Sequence, residues 1–286
     1  MRSTLRAPRI VCNSAQAQPS AGSHARDSVE TMTTIEKAEL LRTLYQAPEI
    51  VRVVNVWDAV STKVVAELPE TKAIATAGHS IAAMYGYADG GMPLDLALAG
   101  VETIVKATEL PVTADLDDGY AEPGETIRRA IAIGAVGANV EDRLKPLDES
   151  VARVRAIIAA AEAEGVPFQL NARTDAIARG EGPLEGRLTD AIARGKAFLA
   201  EGAALVFIPG LSDRESVERV VSELGRNTIS IIGLPGALPA AEYEALGVAR
   251  ISYGPLPQRA ALAALQALAI DLYGNGVIPK DLPALN

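Results

Sequence analysis

Eight short apolar runs, each followed by a helical pattern, constrain what this chain can fold into more than any other feature. The runs are Val51–Trp57, Ala73–Ala77, Pro111–Asp117, Gly137–Asp142, Phe168–Thr174, Ala204–Pro209, Thr228–Leu234 and Ala249–Tyr253. They are rich in Val, Ile and Ala and continuous rather than alternating. A strand of that kind is buried on both faces, as in a parallel sheet covered by helices. The helical patterns between them are Ala59–Glu67, Leu94–Ala107, Gly124–Gly134, Leu147–Glu164, Leu188–Glu201, Arg214–Leu224, Ala240–Leu246 and Gln258–Leu272. Eight strand–helix units in about 220 residues predict an α/β fold, the (β/α)8 TIM barrel. A doubly wound sheet competes with it, but no G-x-G-x-x-G follows any run.

Local signals support the count. Thr34–Tyr45 reads as an additional, N-terminal amphipathic helix with a capping start. Asp148-Glu-Ser follows Pro146 at one helix opening, and Ser212-Asp-Arg-Glu215 has the spacing of a capping box at another. Gly165, Gly202 and Gly247 stand where left-handed C-cap residues are expected. Gly274–Asn286, with two Pro and two Gly, reads as a C-terminal strap or partner-contacting extension. Residues 1–31 carry Arg2, Arg6, Arg9 and Arg26 and no acid before Asp27. That composition resembles a transit peptide, but a disordered tail, or a true start at Met32, is the favoured reading. A single barrel domain over 32–286 is therefore expected.

Composition excludes several function classes. The net charge of −9 over 286 residues argues against nucleic acid. No apolar run approaches the ~20 residues that span a bilayer. Cys12 is the only cysteine, so there is no disulfide framework, and His24 and His79 are too few for a multi-histidine zinc site. A cytoplasmic enzyme or binding protein is expected, with no membrane partner.

The chemistry gathers where the runs end, because the C-terminal strand ends of this barrel build the active site. Pro111-Val-Thr-Ala-Asp-Leu-Asp-Asp-Gly-Tyr120 ends in Asp115, Asp117 and Asp118. Asp115 and Asp117 share one face of an extended strand and repel unless a cation or proton lies between them. A hard divalent cation such as Mg²⁺ suits them; an acidic turn capping the next helix is the plainer alternative. Other run ends supply Asp58, Thr76-Ala-Gly-His-Ser80, Asn139, Glu141, Asp142, Asn171, Arg173, Asp175, Pro209-Gly210, Gly233-Leu-Pro-Gly236 and Tyr253-Gly254. Acids clustered on three ends with one arginine beside them fit an anionic substrate held by Mg²⁺ and gripped by Arg173. A ring of salt bridges closing the rim accounts for Arg173 with Asp175 or Glu141, but not for the concentration of acids.

Asn55-Val-Trp-Asp58-Ala, Asp115-Leu-Asp117-Asp-Gly119-Tyr120, Val140-Glu141-Asp142 and Asn171-Ala-Arg173-Thr-Asp175 together resemble the isocitrate lyase / phosphoenolpyruvate mutase superfamily, over residues 35–272. The resemblance implies that Asp117 binds Mg²⁺ directly and that Asp115 and Glu141 hold it largely through water. Asp58 would support the metal–water network. Arg173 would contact the departing or transferred group. The backbone of Gly78 and His79 would hold the substrate carboxylate, beside Ala77. The implied chemistry is cleavage or rearrangement of a C–C or P–C bond next to a 2-oxo acid, through a metal-stabilised enolate. A homo-oligomer, a tetramer or dimer with an exchanged C-terminal helix, is also implied.

Departures from the pattern narrow the reaction. Lyases of the superfamily carry a Lys-Arg-Cys-Gly-His lid; here Glu141-Asp-Arg-Leu-Lys-Pro-Leu-Asp148 is short and lacks cysteine. Ala77 replaces a serine of the mutases, Pro209 replaces a histidine, and Ser230-Ile-Ile replaces Pro-Asn-Val. Decarboxylation of an oxaloacetate-like acid, or cleavage of phosphonopyruvate, needs no acid on a lid. His79, unusual for the superfamily, either donates to substrate or packs at the barrel mouth. A Schiff-base aldolase is disfavoured, since only Lys145 of the seven lysines lies near the rim. A phosphate-sugar barrel leaves Asp115 and Asp117 unexplained. A degenerate barrel that only binds a small carboxylate is the remaining alternative.

Overall fold

A computed structural model describes residues 32–285. The expectations placed on residues 1–31 lie outside the described residues. The elements in chain order are α1 (Thr34–Gln46), β1 (Val51–Val53), β2 (Asn55–Val56), α2 (Ala59–Ala66), β3 (Ile74–Thr76), α3 (Gly78–Met84), α4 (Leu94–Val105), β4 (Val112–Asp115), α5 (Pro123–Ala132), β5 (Gly137–Glu141), α6 (Leu147–Ala163), β6 (Gln169–Arg173), α7 (Leu184–Ala200), β7 (Leu205–Phe207), α8 (Arg214–Leu224), β8 (Ile229–Ile232), α9 (Ala240–Leu246), β9 (Arg250–Ser252) and α10 (Leu256–Asn275).

All strand pairs are parallel, in the order β1-β9-β8-β7-β6-β5-β4-β3-β2. β1 and β2 are two halves of the first apolar run, parted at Val54. β1 pairs with β9 (Val51 opposite Arg250) and β2 with β3 (Asn55 opposite Ala75). One broken strand thus closes the ring, giving the predicted (β/α)8 barrel. Asn55 stitches the seam: its Nδ2 donates to Thr76 O at 2.9 Å, and its Oδ1 accepts from the amides of Tyr253 (2.7 Å) and Gly254 (2.8 Å).

Helix α1 opens with a capping box between Thr33 and Glu36 and buries Ala38, Leu41 and Tyr45 at the N-terminal barrel mouth. Gly137 permits this packing, because a Cβ there would meet Gln169 O at 2.7 Å and Leu41 Cδ2 at 3.2 Å. Gly247 ends α9 in the left-handed conformation expected of it (φ 100°). α6 opens at Leu147, as expected, behind Pro146 and with no side-chain cap. Two local expectations are corrected. α8 is capped by Asp213, whose side chain accepts from Ser216 N at 2.9 Å, not by Ser212 with Glu215. α7 begins at Leu184, a full turn before the predicted Leu188, behind Pro183. Helix α3 was not predicted; it follows directly on β3, where the residues read as a strand end and loop. Among the described residues, no helix is long and apolar enough to cross a membrane.

Candidate active site

A cavity of about 550 Å³ opens at the C-terminal strand ends. Its acidic wall is built by β4 and the turn after it. The Asp115 amide donates to Thr76 Oγ1 at 2.8 Å, and Asp115 Oδ2 accepts from the Gly78 amide at 2.9 Å. A Cβ on residue 78 would lie 3.1 Å from that oxygen, so glycine suits this close approach. Burial, and then the neighbouring Asp117 carboxylate, push the Asp115 carboxyl up to about 7.

The chain turns at once after Asp115. Asp117 is left-handed (φ 50°), the Gly119 amide closes the turn on Leu116 O at 2.9 Å, and the Glu141 amide donates to Asp117 O at 2.8 Å. Tyr120 Oη reaches Asp117 Oδ2 at 3.4 Å. Burial and the charge of Asp89 raise the Asp117 carboxyl above its usual range. Asp117, Tyr120, Arg143 and Leu144 all hold positive φ, in the two turns that follow β4 and β5. Each such residue stores on the order of 1 kcal/mol, and storage of this kind concentrates at functional sites.

β5 and β6 supply the opposing charge. Their register sets Glu141 opposite Arg173. Arg173 Nη1 lies 2.9 Å from Glu141 Oε2, and its Nη2 lies 2.7 Å from the buried Asp175. The same guanidinium rests over the Phe207 ring, 5.8 Å from its centroid. Arg173 is therefore fixed in orientation before any ligand arrives. Arg143 Nε takes the other Glu141 oxygen at 3.0 Å. Asp142, also at this rim, faces away from the cavity into an ion pair with Arg194 (3.1 Å).

Asp115, Asp117, Glu141, Arg173 and His79 all line the cavity. Three other expected residues do not. Asp58 is the N-cap of α2, its Oδ1 accepting from Ser61 N at 2.7 Å while Ser61 Oγ takes the Asp58 amide. Ala77 is buried as the residue before α3. The Gly78 amide, expected to hold a substrate carboxylate, is engaged by Asp115.

The cavity also holds residues that the strand pattern did not reveal. Asp89, Arg143, Arg179 and Arg259 line it. Asp89 stands in Gly86-Tyr-Ala-Asp89-Gly90-Gly91, and its carboxylate lies 3.6 Å from His79 Nδ1. Its flanking glycines were the only signal available, and they mark a turn rather than a site.

The donor set is all oxygen, and its carboxyls are raised because burial and neighbouring acids make their charge costly, a cost that a hard cation would offset. Among the described residues, no three acidic, His or Cys side chains converge at ligating distance. Glu141 is already held by two arginines. An ion here would rest on Asp115 and Asp117 and keep water in its remaining positions, which is how Mg²⁺ is commonly bound.

The model of a family described as phosphoenolpyruvate phosphomutase matches residues 41–273. An oxaloacetate decarboxylase of Bradyrhizobium sp. (strain BTAi1 / ATCC BAA-1182) is 27% identical over 274 residues, which cover 89% of this chain and 91% of the relative. A solved protein of Burkholderia cenocepacia J2315, described as a phosphonomutase, is 36% identical with a TM-score of 0.79, over 84% of this chain and 99% of that one. The crystal structure of 2,3-dimethylmalate lyase superposes with a TM-score of 0.77 at 25% identity, over 86% of this chain and 91% of the other.

Proposed function

The chain belongs to the phosphoenolpyruvate phosphomutase family, and from that premise we propose that it is a Mg²⁺-dependent lyase-type enzyme acting on a small 2-oxo acid. The bond cleaved or rearranged is the C–C or P–C bond next to the oxo group, in an oxaloacetate- or phosphonopyruvate-like substrate. The observation that carries this reading is the pair of raised carboxyls, Asp115 and Asp117, facing the pinned Arg173 in one cavity.

Asp115 and Asp117 are the residues that would hold the cation, with Glu141 and Asp89 lining the same cavity. When bound, Mg²⁺ supplies an electrophile for the oxo and carboxylate oxygens, where negative charge develops as the bond breaks. Arg173, locked by Glu141 and Asp175, meets the departing group in a fixed orientation and stabilises its charge without reorganising. His79, 3.6 Å from Asp89, stands at the mouth where it can exchange a proton with the ligand. The link from Asp142 to Pro146 between β5 and α6 carries no cysteine, so no protonation from it is assigned. Loss of CO₂ or of a phosphorus group suits this site better than cleavage of a tricarboxylic acid.

A proton and phosphorus NMR time course with oxaloacetate, phosphonopyruvate, phosphoenolpyruvate and methylisocitrate tests this reading. Loss of one substrate with Mg²⁺, abolished both by EDTA and by Asp117→Ala, is the expected outcome. No turnover above the EDTA sample would leave a degenerate, carboxylate-binding barrel. The capping role of Asp58 gives a companion prediction. Asp58→Ala is expected to cost about 1 kcal/mol of stability, the usual value of an N-cap, with kcat retained. Asp89→Ala is expected to lower kcat with little change in Tm. The reverse pattern would restore Asp58 to the metal network.

We also propose a homo-oligomer. Helix α10 has no buried residue, and it leaves Leu262, Leu265 and Ile270 at 56%, 62% and 65% exposure. Several large exposed apolar side chains on one helix mark an association surface. Sedimentation velocity that finds a monomer at micromolar concentration would refute it.

A further inference from the structure

The two walls of the cavity differ in chemistry. Strand order sets β3, β4 and β5 across the barrel axis from β7, β8 and β9. The first wall carries Asp115, Asp117 and Glu141. The second presents Pro209, Ile232 and Pro255 around Ser252, a mostly apolar surface, with Arg259 beside it in the first turn of α10.

Four guanidinium groups line the cavity, and three of them are paired with carboxylates of the protein, Glu141, Asp175 and Asp118. Arg143 pairs with Glu141, Arg173 with Glu141 and Asp175, and Arg179 with Asp175 at 3.3 Å. Arg259 has no carboxylate partner among the described residues. An unpaired guanidinium at the end of an apolar wall is a receptor for a carboxylate, which it can bind in two-point fashion. Sites of this kind combine apolar lining with a few placed polar groups that fix orientation. The volume of about 550 Å³ also leaves room beyond a small 2-oxo acid on the acidic wall.

Resting on the 2-oxo acid reading above, we propose that Arg259 is a specificity-determining residue that receives a second, distal carboxylate of the substrate. The 2-oxo acid end lies against the β3–β5 wall. The carbon chain crosses the apolar wall, and its far carboxylate meets Arg259. The substrate class is then dicarboxylic 2-oxo acids with a longer chain than oxaloacetate, whose own second carboxylate is the departing group at Arg173.

Calorimetric titration of the full chain with Mg²⁺ tests this with ligands that differ in one group. 2-Oxoglutarate and 2-oxopentanoate share a chain length and differ in the terminal carboxylate, as do 2-oxoadipate and 2-oxohexanoate. Oxalate reports the 2-oxo acid end alone. The wild-type protein is expected to bind the better diacid at least about 10-fold more tightly than its monoacid, the gain of one charge-assisted pair. Arg259→Gln is expected to bring that ratio near unity with oxalate affinity unchanged, and Arg259→Lys to keep part of it. A ratio near unity in the wild type, or a ratio that survives Arg259→Gln, overturns the proposal while oxalate binding still upholds the 2-oxo acid site. Absence of oxalate binding to the wild type refutes that site, and this inference with it.

Discussion

Asp117→Asn is expected to lower kcat by about 10³-fold, an effect on the scale of removing a main source of transition-state charge stabilisation. Asparagine is the informative substitution. Asp117 sits at φ 50°, a conformation that asparagine tolerates and alanine does not. The turn closed by Gly119 on Leu116 should therefore survive, and only the charge is lost. With Tm within a few degrees of wild type, the fall in kcat reports the cation site itself. The same variant should need far more Mg²⁺ for any residual rate. Wild-type activity at wild-type Mg²⁺ concentrations in Asp117→Asn would remove the metal from this wall.

The second large effect is on stability. Asp115 holds its proton up to about pH 7 in the folded, metal-free protein, against 3.8 ordinarily. Between those values the native state binds more protons than the unfolded chain, so stability falls as pH rises from about 4 to 7 and is level above. At 1.36 kcal/mol per pH unit the full loss is on the order of 4 kcal/mol, an upper bound because the carboxylate is partly open to the cavity. Asp117 and Glu141, also raised, add in the same direction. A bound cation removes this penalty. Saturating Mg²⁺ should therefore raise Tm by several degrees at pH 8 and by little at pH 5, where the proton competes for Asp115. An equal Mg²⁺ shift at both pH values, or none at pH 8, would show that the raised carboxyls are not the cation's seat.

The parts of this molecule that were legible in the sequence are those with a period. Each apolar run became a strand, because a strand covered by helices on both faces has little choice but to be apolar throughout. Asp115, Glu141 and Arg173 could be placed because they end such runs. The break at Val54 could not be read, since Val53 and Val54 run on without a turn residue and the seam depends on a partner some 200 residues away. Asp89 and Arg259 lie in a glycine turn and a helix start, where no periodicity points at the cavity. Asp58 shows a different difficulty. An acid at a strand end is also the residue just before a helix, and with Ser61 three positions on it satisfies the capping pattern as fully as a metal-site pattern. The misplaced cap at Ser212 has the same origin, because adjacent Ser and Asp can each serve.

The seam through Asn55 also bears on how this molecule comes into being. The first strand reaches the ribosome exit long before the last, yet β1 needs β9, and Asn55 needs the amides of Tyr253 and Gly254. At about 5–20 residues per second, the intervening chain takes on the order of tens of seconds to synthesise. Through that interval β1 is an uncapped edge of Val51, Arg52 and Val53, with its hydrogen-bonding groups open to any extended neighbour. Until β9 has been made, this edge has no partner and the ring cannot close.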